Sequence, residues 1–432
     1  MEETQTEEAT NSNDVEVAPA LISVHPNQNS IAVAVGSDLR VYNLLGDCAV
    51  SLLDDSSGPS HKESIRAIRY GADGKLFVSA GDDKIVKIWS AESWKCISSV
   101  CSEKRVTAVA VSKDGQYVCF ADKFGVVWVV DLHGHDDIQA LVNKKATPLL
   151  AHYCSIITSL EFSPDGRFVV SADRDFKIRV TLFPKKPLDG AHDIQSFCLG
   201  HTEFVSCLAF ICTVDYPQWF LVSGSGDSTV RLWDITSGSL LDTCEVGIKA
   251  GHLESDGNDE GRSTVTGLCT IQDSLLVAVA IQSLPGIMLL SCNVSARTLS
   301  IAKIVSIKGE NVIPTSLGSS SSAGLLWMVT GVSNLPGFDC SSLSRVKVIA
   351  GLNKKSPDSV EDEPTVLEDN DIPGGMELLK KLQGSVSVEE KVFLAAAEAL
   401  KTAMCNLLIK KQYSSEKREF RKRTRNDRKI KQ

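Results

Sequence analysis

The 432-residue chain contains no apolar run approaching the roughly twenty residues that a helix needs to cross a bilayer, so a membrane-spanning protein is not expected. Residues 1–19 are acidic and polar, with no apolar stretch of the secretory-leader kind, and read as a disordered tail with no signal peptide. Thirteen cysteines are present, yet none forms a C-x-x-C pair. Several, such as Cys119, Cys207 and Cys269, fall at strand positions, which suits reduced core thiols of a cytosolic or nuclear protein better than disulfides. There is no Gly-x-Gly dinucleotide or S-adenosylmethionine loop between a strand and a helix, and no P-loop. His, Cys and carboxylates do not gather at metal-ligand spacing, so no metal or cofactor is expected in this chain.

What is present is a repeat. Around Glu161–Phe210, apolar and polar residues alternate with period two over Ile157–Phe162, Phe168–Ala172 and Lys177–Leu182. Pro164-Asp165-Gly166 and Asp173-Arg174-Asp175 supply the turns, and a fourth apolar run, Ile194–Leu199, leads into Gly200-His201. The pattern returns over Ile65–Val100 and Phe204–Val246. In all three copies a His lies four residues before the first strand's apolar residue, as His61/Ile65, His152/Ile156 and His201/Val205. In each, a Ser is followed four residues later by an Asp: Ser79/Asp83, Ser171/Asp175 and Ser223/Asp227. Six residues beyond the Asp stands Trp89, Thr181 or Trp233. These spacings resemble the His-Ser-Asp-Trp hydrogen-bonded tetrad of WD-repeat propellers, which implies structural rather than catalytic histidines.

Seven blades can be counted: 21–53, 65–100, 106–143 (which keeps Asp122 and Trp128 but lacks the Ser and His), 157–199, 204–246, 265–305 and 313–350. The expected fold is thus all-β, a seven-bladed propeller over 20–350. Its last blade lacks a fourth strand, which either 15–19 or 364–368 could supply. Residues 351–386 read as a linker. A capping box at Ser387–Glu390 opens an amphipathic helix over 387–412, whose stripe of Val388, Val392, Ala395, Ala399, Ala403 and Leu407 packs on the propeller or on a partner. Beyond it runs a basic tail, 413–432. Over 410–432, eleven Lys or Arg stand against three acidic residues, a net +8 that leaves −17 for the rest of a chain of charge −9. Lys410, Lys411, Lys417, Arg418, Arg421, Lys422, Arg423 and Arg425 could contact nucleic-acid phosphates without reading sequence, or direct nuclear import.

The turn of the fourth blade is unusually charged. Arg174 stands just before the turn Asp, where the second and fifth blades have Asp82 and Gly226, and Lys177 and Arg179 follow. This cluster reads as internal salt bridges or as a docking surface for a protein. The run ADRDFKIRVT at 172–181, IQSFCLGHTEFVS at 194–206 and ADKFGVVW at 121–128 resemble the WD-repeat non-catalytic subunit of the eukaryotic tRNA (guanine-N7) methyltransferase. Phe176 departs from that family's pattern, which usually has an acidic residue there. The resemblance implies a scaffold that forms a heterodimer with a separate catalytic subunit carrying the S-adenosylmethionine site, with tRNA bound through the complex. It implicates Arg174, Asp175, Lys177, Arg179 and Lys123 in holding that subunit, and a location in the nucleus, with the cytoplasm second. The alternative is a generic WD-repeat adaptor, such as a ubiquitin-ligase substrate receptor or a chromatin-complex subunit.

Overall fold

In the computed structural model, the described residues are 17–54, 59–133, 144–152, 155–212, 219–247, 263–271, 274–307, 313–320, 324–335, 342–352, 363–384 and 390–408. Each alternating run forms a strand, and the strands group into seven antiparallel sheets. Six of the sheets are meanders of four consecutive strands. The fourth, for example, runs Ile157–Phe162, Phe168–Asp173, Ile178–Leu182, Ile194–Cys198. The inner strand of each sheet packs on the inner strands of the sheets before and after it, and the first packs on the seventh, which closes a ring of seven blades. The second strand of each blade is buried almost throughout, because neighbouring blades cover both of its faces. Trp89, Trp233 and Trp327 are among the fully buried side chains.

Hydroxyls near the start of the inner strands staple one blade to the next. Thr107 Oγ1 donates to the carbonyl of Ile157 (2.7 Å), Thr158 to Val205, Ser206 to Val265, and Thr315 to Ala20 (2.7 Å). Further along the same strands, Arg69 of the second blade makes a two-pronged ion pair with Glu161 of the fourth. The third blade has Ala110 at the equivalent register, leaving room for the pair to meet.

Several boundaries differ from those expected. The outer strand of the third blade is Thr147–Ala151, beyond the 106–143 span read for that blade. Both candidate closing segments are used: Thr365–Val366 pairs with the edge of Ser342–Ala350, while Ala18–Pro19 pairs with Leu326–Ser333 on its other side. The end of the 1–19 tail is therefore a strand. Residues 351–386 are also more than a linker, since they hold that strand and a helix, α1 (Gly375–Gln383). Leu378, Leu379 and Leu382 of α1 pack with Ile22, Val33, Trp327 and Val346, so the helix covers the seam between first and last blades. Gln383 Oε1 accepts the Val346 N–H (2.9 Å), and Arg40 donates to the Leu382 carbonyl (3.1 Å). Two-residue strands and a nine-residue helix in a polar stretch carry too little periodicity to be read locally.

A second helix, α2 (Glu390–Leu408), lies within 387–412 and buries Val392, Ala396 and Leu400 against Val332, Leu335 and Leu343. Its apolar stripe packs on the propeller, with Ala395 and Ala399 at the margin. Ser387 of the capping box, Val388, and the side chains of Ala403 and Leu407 lie outside the described residues, as does the basic run 410–432 with all eight of its candidate phosphate contacts. No helix among the described residues is long and apolar enough to cross a membrane.

Candidate docking site on the rim of the third and fourth blades

Two of the three expected tetrads form as the spacing requires. In the second blade, His61 reaches Asp83 (2.8 Å) and Ser79 (2.8 Å), and Trp89 Nε1 donates to Ser79 (3.0 Å). In the fifth, His201 reaches Asp227 (2.8 Å) and Ser223 (2.7 Å), and Trp233 donates to Ser223 (2.8 Å). The histidine and serine of each tetrad are buried, and each serine oxygen also receives the tryptophan N–H, so these groups hold the blade and present no exposed nucleophile. Burial pushes His201 below the usual histidine range, outweighing the opposing pull of Asp227. Burial alone would raise Asp227, but hydrogen bonds from His201, Thr229 and the Thr202 N–H hold it well below the carboxylate range.

The fourth blade corrects the sequence reading. His152 Nδ1 bonds to Asp173 (2.9 Å), not Asp175, while Nε2 bonds to Ser171 (2.8 Å). Strand register explains the change: Asp173 faces Ile157 as Gly81 faces Ile65, so it ends the strand, and Asp175 lies two residues out in the turn. Asp122 of the third blade occupies the same position as Asp173, opposite Val106. Both carboxylates also organise the turns that follow them. Asp173 Oδ1 accepts the N–H groups of Asp175 (2.8 Å) and Lys177 (3.1 Å), and Asp122 Oδ1 those of Phe124 (2.8 Å) and Val126 (3.1 Å). That shared position, visible as Ala-Asp at 121–122 and 172–173, was the available signal.

With Asp173 held inside, the side chains beyond it form the rim. Lys177 sits in the turn rather than in the strand, which starts at Ile178, and it is exposed. Phe176 has φ +71° and is 40% exposed, a large apolar ring in a conformation that L-residues seldom adopt. Arg174 and Asp175 are half-buried. Thr181, in the tetrad Trp position, is buried and accepts a bond from Arg179 Nε (3.1 Å); Arg179 Nη1 donates to the Ala151 carbonyl (3.2 Å). Burial lowers the pKa of Arg179, yet an arginine starts so high that it keeps its charge.

Lys123, exposed on the neighbouring turn, joins this surface because the two blades are tied directly. The His152 N–H donates to the Gly125 carbonyl (2.7 Å), and Gly125 (φ +85°) approaches so closely that a Cβ there would lie 2.2 Å from the Ser155 carbonyl oxygen. Sequence reasoning missed two members of the rim. Phe124 is 57% exposed, and Lys104 lies over its ring at 5.1 Å. Five cations, Lys104, Lys123, Arg174, Lys177 and Arg179, thus share a rim with two exposed phenylalanines. Such a surface suits capture of an acidic partner face.

The model of the family described as the tRNA methyltransferase TRM82 WD40 domain matches residues 53–155 and 139–333. The chain belongs to that family. Its relatives include the tRNA (guanine-N(7)-)-methyltransferase non-catalytic subunit wdr4 of Danio rerio, 34% identical over 236 residues, covering 54% of this chain and 52% of the relative. The subunit of the same name in Dictyostelium discoideum is 27% identical over 395 residues, covering 86% and 79%. The chain therefore spans about half the length of the zebrafish protein and about four-fifths of the Dictyostelium one. Among solved structures, that of U3-55K superposes with a TM-score of 0.55 at 18% identity, covering 72% of this chain and 90% of the other. The RRP9 WD40 repeats give a TM-score of 0.56 at 18% identity, covering 72% and 89%. These two likenesses concern the fold alone, a WD40 propeller. The family match spans the third and fourth blades, including the charged rim.

Proposed function

We propose that this chain is the non-catalytic scaffold of a tRNA (guanine-N7) methyltransferase, pairing as a heterodimer with a catalytic subunit that forms 7-methylguanosine. Membership of the TRM82 WD40 family, with relatives named as non-catalytic subunits of that enzyme, carries the reading. The cationic rim of the third and fourth blades supports it, because a positive patch on a chain of net charge −9 has a ready use in orienting an acidic partner. In this reading Arg174, Lys177, Arg179 and Lys123 meet carboxylates of the catalytic subunit. Asp175 meets a cation. The S-adenosylmethionine site belongs to the partner, and the basic residues of 410–432 add phosphate contacts to tRNA in the nucleus.

Charge reversal tests the docking face. Arg174→Glu with Lys177→Glu removes two cations and sets like charges against the partner, a change expected to cost about 2–5 kcal/mol, or roughly 30-fold to several thousand-fold in affinity. Thermal melting by circular dichroism should be unchanged, since neither side chain belongs to the His152–Ser171–Asp173 network. Continued co-elution with the catalytic subunit at nanomolar concentration would place docking elsewhere.

A further inference from the structure

The third blade departs from its neighbours where the tetrad would be. By register, Phe120 takes the position of Ser79, Ser171 and Ser223. Ser102, four residues before Val106, stands where the second and fifth blades place their tetrad histidine. Trp128 is six residues after Asp122, but Asp122 itself sits two residues early, so the indole is two positions early as well. It faces Phe120 and holds the place of Lys87, Arg179 and Arg231.

The outcome is a groove of about 470 Å³ between the outer edge of the second blade and the third blade, lined by Val100, Cys101, Phe120, Trp128, Lys144 and Lys145. Trp89 and Trp233 are fully buried, whereas Trp128 is only half-buried. Its ring lies nearly parallel to Phe120 (centroids 6.5 Å apart, 15° between planes). The indole N–H is already used, donating to Asp122 Oδ2 (2.9 Å). Trp128 thus offers the groove an apolar ring and no free donor. Lys144 donates to the His133 carbonyl (3.1 Å), Lys145 is exposed, and Glu103 is the sole carboxylate among the described lining residues.

We propose that this groove is the anchor pocket of the docking face and receives a bulky apolar or aromatic side chain from an acidic segment of the docked catalytic subunit. The proposal rests on the docking reading above and adds the chemistry of the docked segment. Continuity supports it: Cys101–Glu103 on one wall lead directly into Lys104 of the rim, while Lys144–Ala146 close the far end of the groove, at the end of Thr147–Ala151 opposite the Ala151 carbonyl that Arg179 holds. Binding energy concentrates where a large apolar side chain is fully desolvated, while surrounding charges set orientation. An apolar floor beside Lys144 and Lys145, with Lys104 and Lys123 on the adjoining turn and loop, has that layout. A nucleobase is less well served, since it needs an open ring face and polar groups for its edges. Here the indole N–H is committed to Asp122 and offers a base edge no donor.

Photo-crosslinking on the full chain tests this. p-Benzoylphenylalanine is placed at Lys145 in one variant and at Lys177 in another. Each is assembled with the catalytic subunit and tRNA, irradiated, and mapped by mass spectrometry. Both positions should capture the catalytic subunit, and the peptide caught from Lys145 should carry an aromatic or large aliphatic residue close to Asp or Glu. Capture from Lys177 alone would overturn the groove and leave the docking face standing, as would RNA rather than protein at Lys145. A captured peptide without carboxylates or bulky apolar residues would overturn the assigned chemistry. Failure at both positions would remove the docking reading and the groove with it. In parallel, Lys144→Glu with Lys145→Glu should raise the Kd of the complex about tenfold or more with unchanged melting, because surface charges seldom support folding; unchanged Kd would count against the groove.

Discussion

Asp173 and Asp175 offer a direct test of which carboxylate holds the fourth blade. Asp173 is 1% exposed and accepts three bonds: from His152 Nδ1 (2.9 Å), and from the N–H groups of Asp175 (2.8 Å) and Lys177 (3.1 Å). Asp173→Ala leaves a buried imidazole nitrogen without its acceptor and two turn amides without theirs. Hydrogen bonds to a charged group are each worth about 1.5–3 kcal/mol, but the turn amides can recover water, so a net loss of about 3–5 kcal/mol is reasonable. A propeller of roughly 330 residues unfolding as one unit has an unfolding entropy of about 0.7 kcal/mol/K, so the Tm should fall by about 4–7 °C. Asp175→Ala, which removes a half-buried turn side chain, should cost under about 1 kcal/mol and about 1 °C, while weakening docking. Asp173→Asn should fall between them, because the amide oxygen can still serve the turn. Differential scanning calorimetry of the three variants decides the matter. If Asp175→Ala melts lower than Asp173→Ala, the assignment of the tetrad is wrong.

Two further outcomes concern stability. His201 is held below its ordinary pKa by burial, so it folds neutral, and the unfolded chain takes up the proton first as pH falls below about 6.5. Its contribution is complete above that value and erodes below it, whereas that of Asp227, whose pKa is depressed, erodes only in the more acid range below about 3.9. The wild-type Tm should therefore drop between pH 7 and pH 5 more steeply than that of His201→Gln; parallel slopes by differential scanning fluorimetry would contradict this. Leu382→Ala in α1 removes a fully buried side chain at the closing seam and should cost about 2–5 kcal/mol. Hydrogen exchange should then quicken in Leu21–Asn43 and Leu326–Ala350 but not in the fourth blade, and uniform quickening would show that α1 is no local clamp.

The sequence by itself determined the repeat, the strand order within most blades and two complete tetrads. These rest on contacts between residues a few tens of positions apart, so period-two alternation, turn residues and fixed spacings carry them locally. His61–Ser79–Asp83–Trp89 formed as the spacing required, and the charged turn at Arg174–Lys177 does lie on the rim. Tertiary structure decided the rest. Asp173 and Asp175 are two residues apart, and only the pairing of Asp173 with Ile157 places one carboxylate at the strand end and the other in the turn. The same register shift moves Trp128 out of the tetrad and into a groove wall. Ring closure joins residues more than three hundred positions apart, as in the Ala18 and Ser333 pair. Strands of two residues leave no period to read. Their place is fixed instead by the unpaired backbone edge that a neighbouring strand presents, and that edge exists only once the ring has formed.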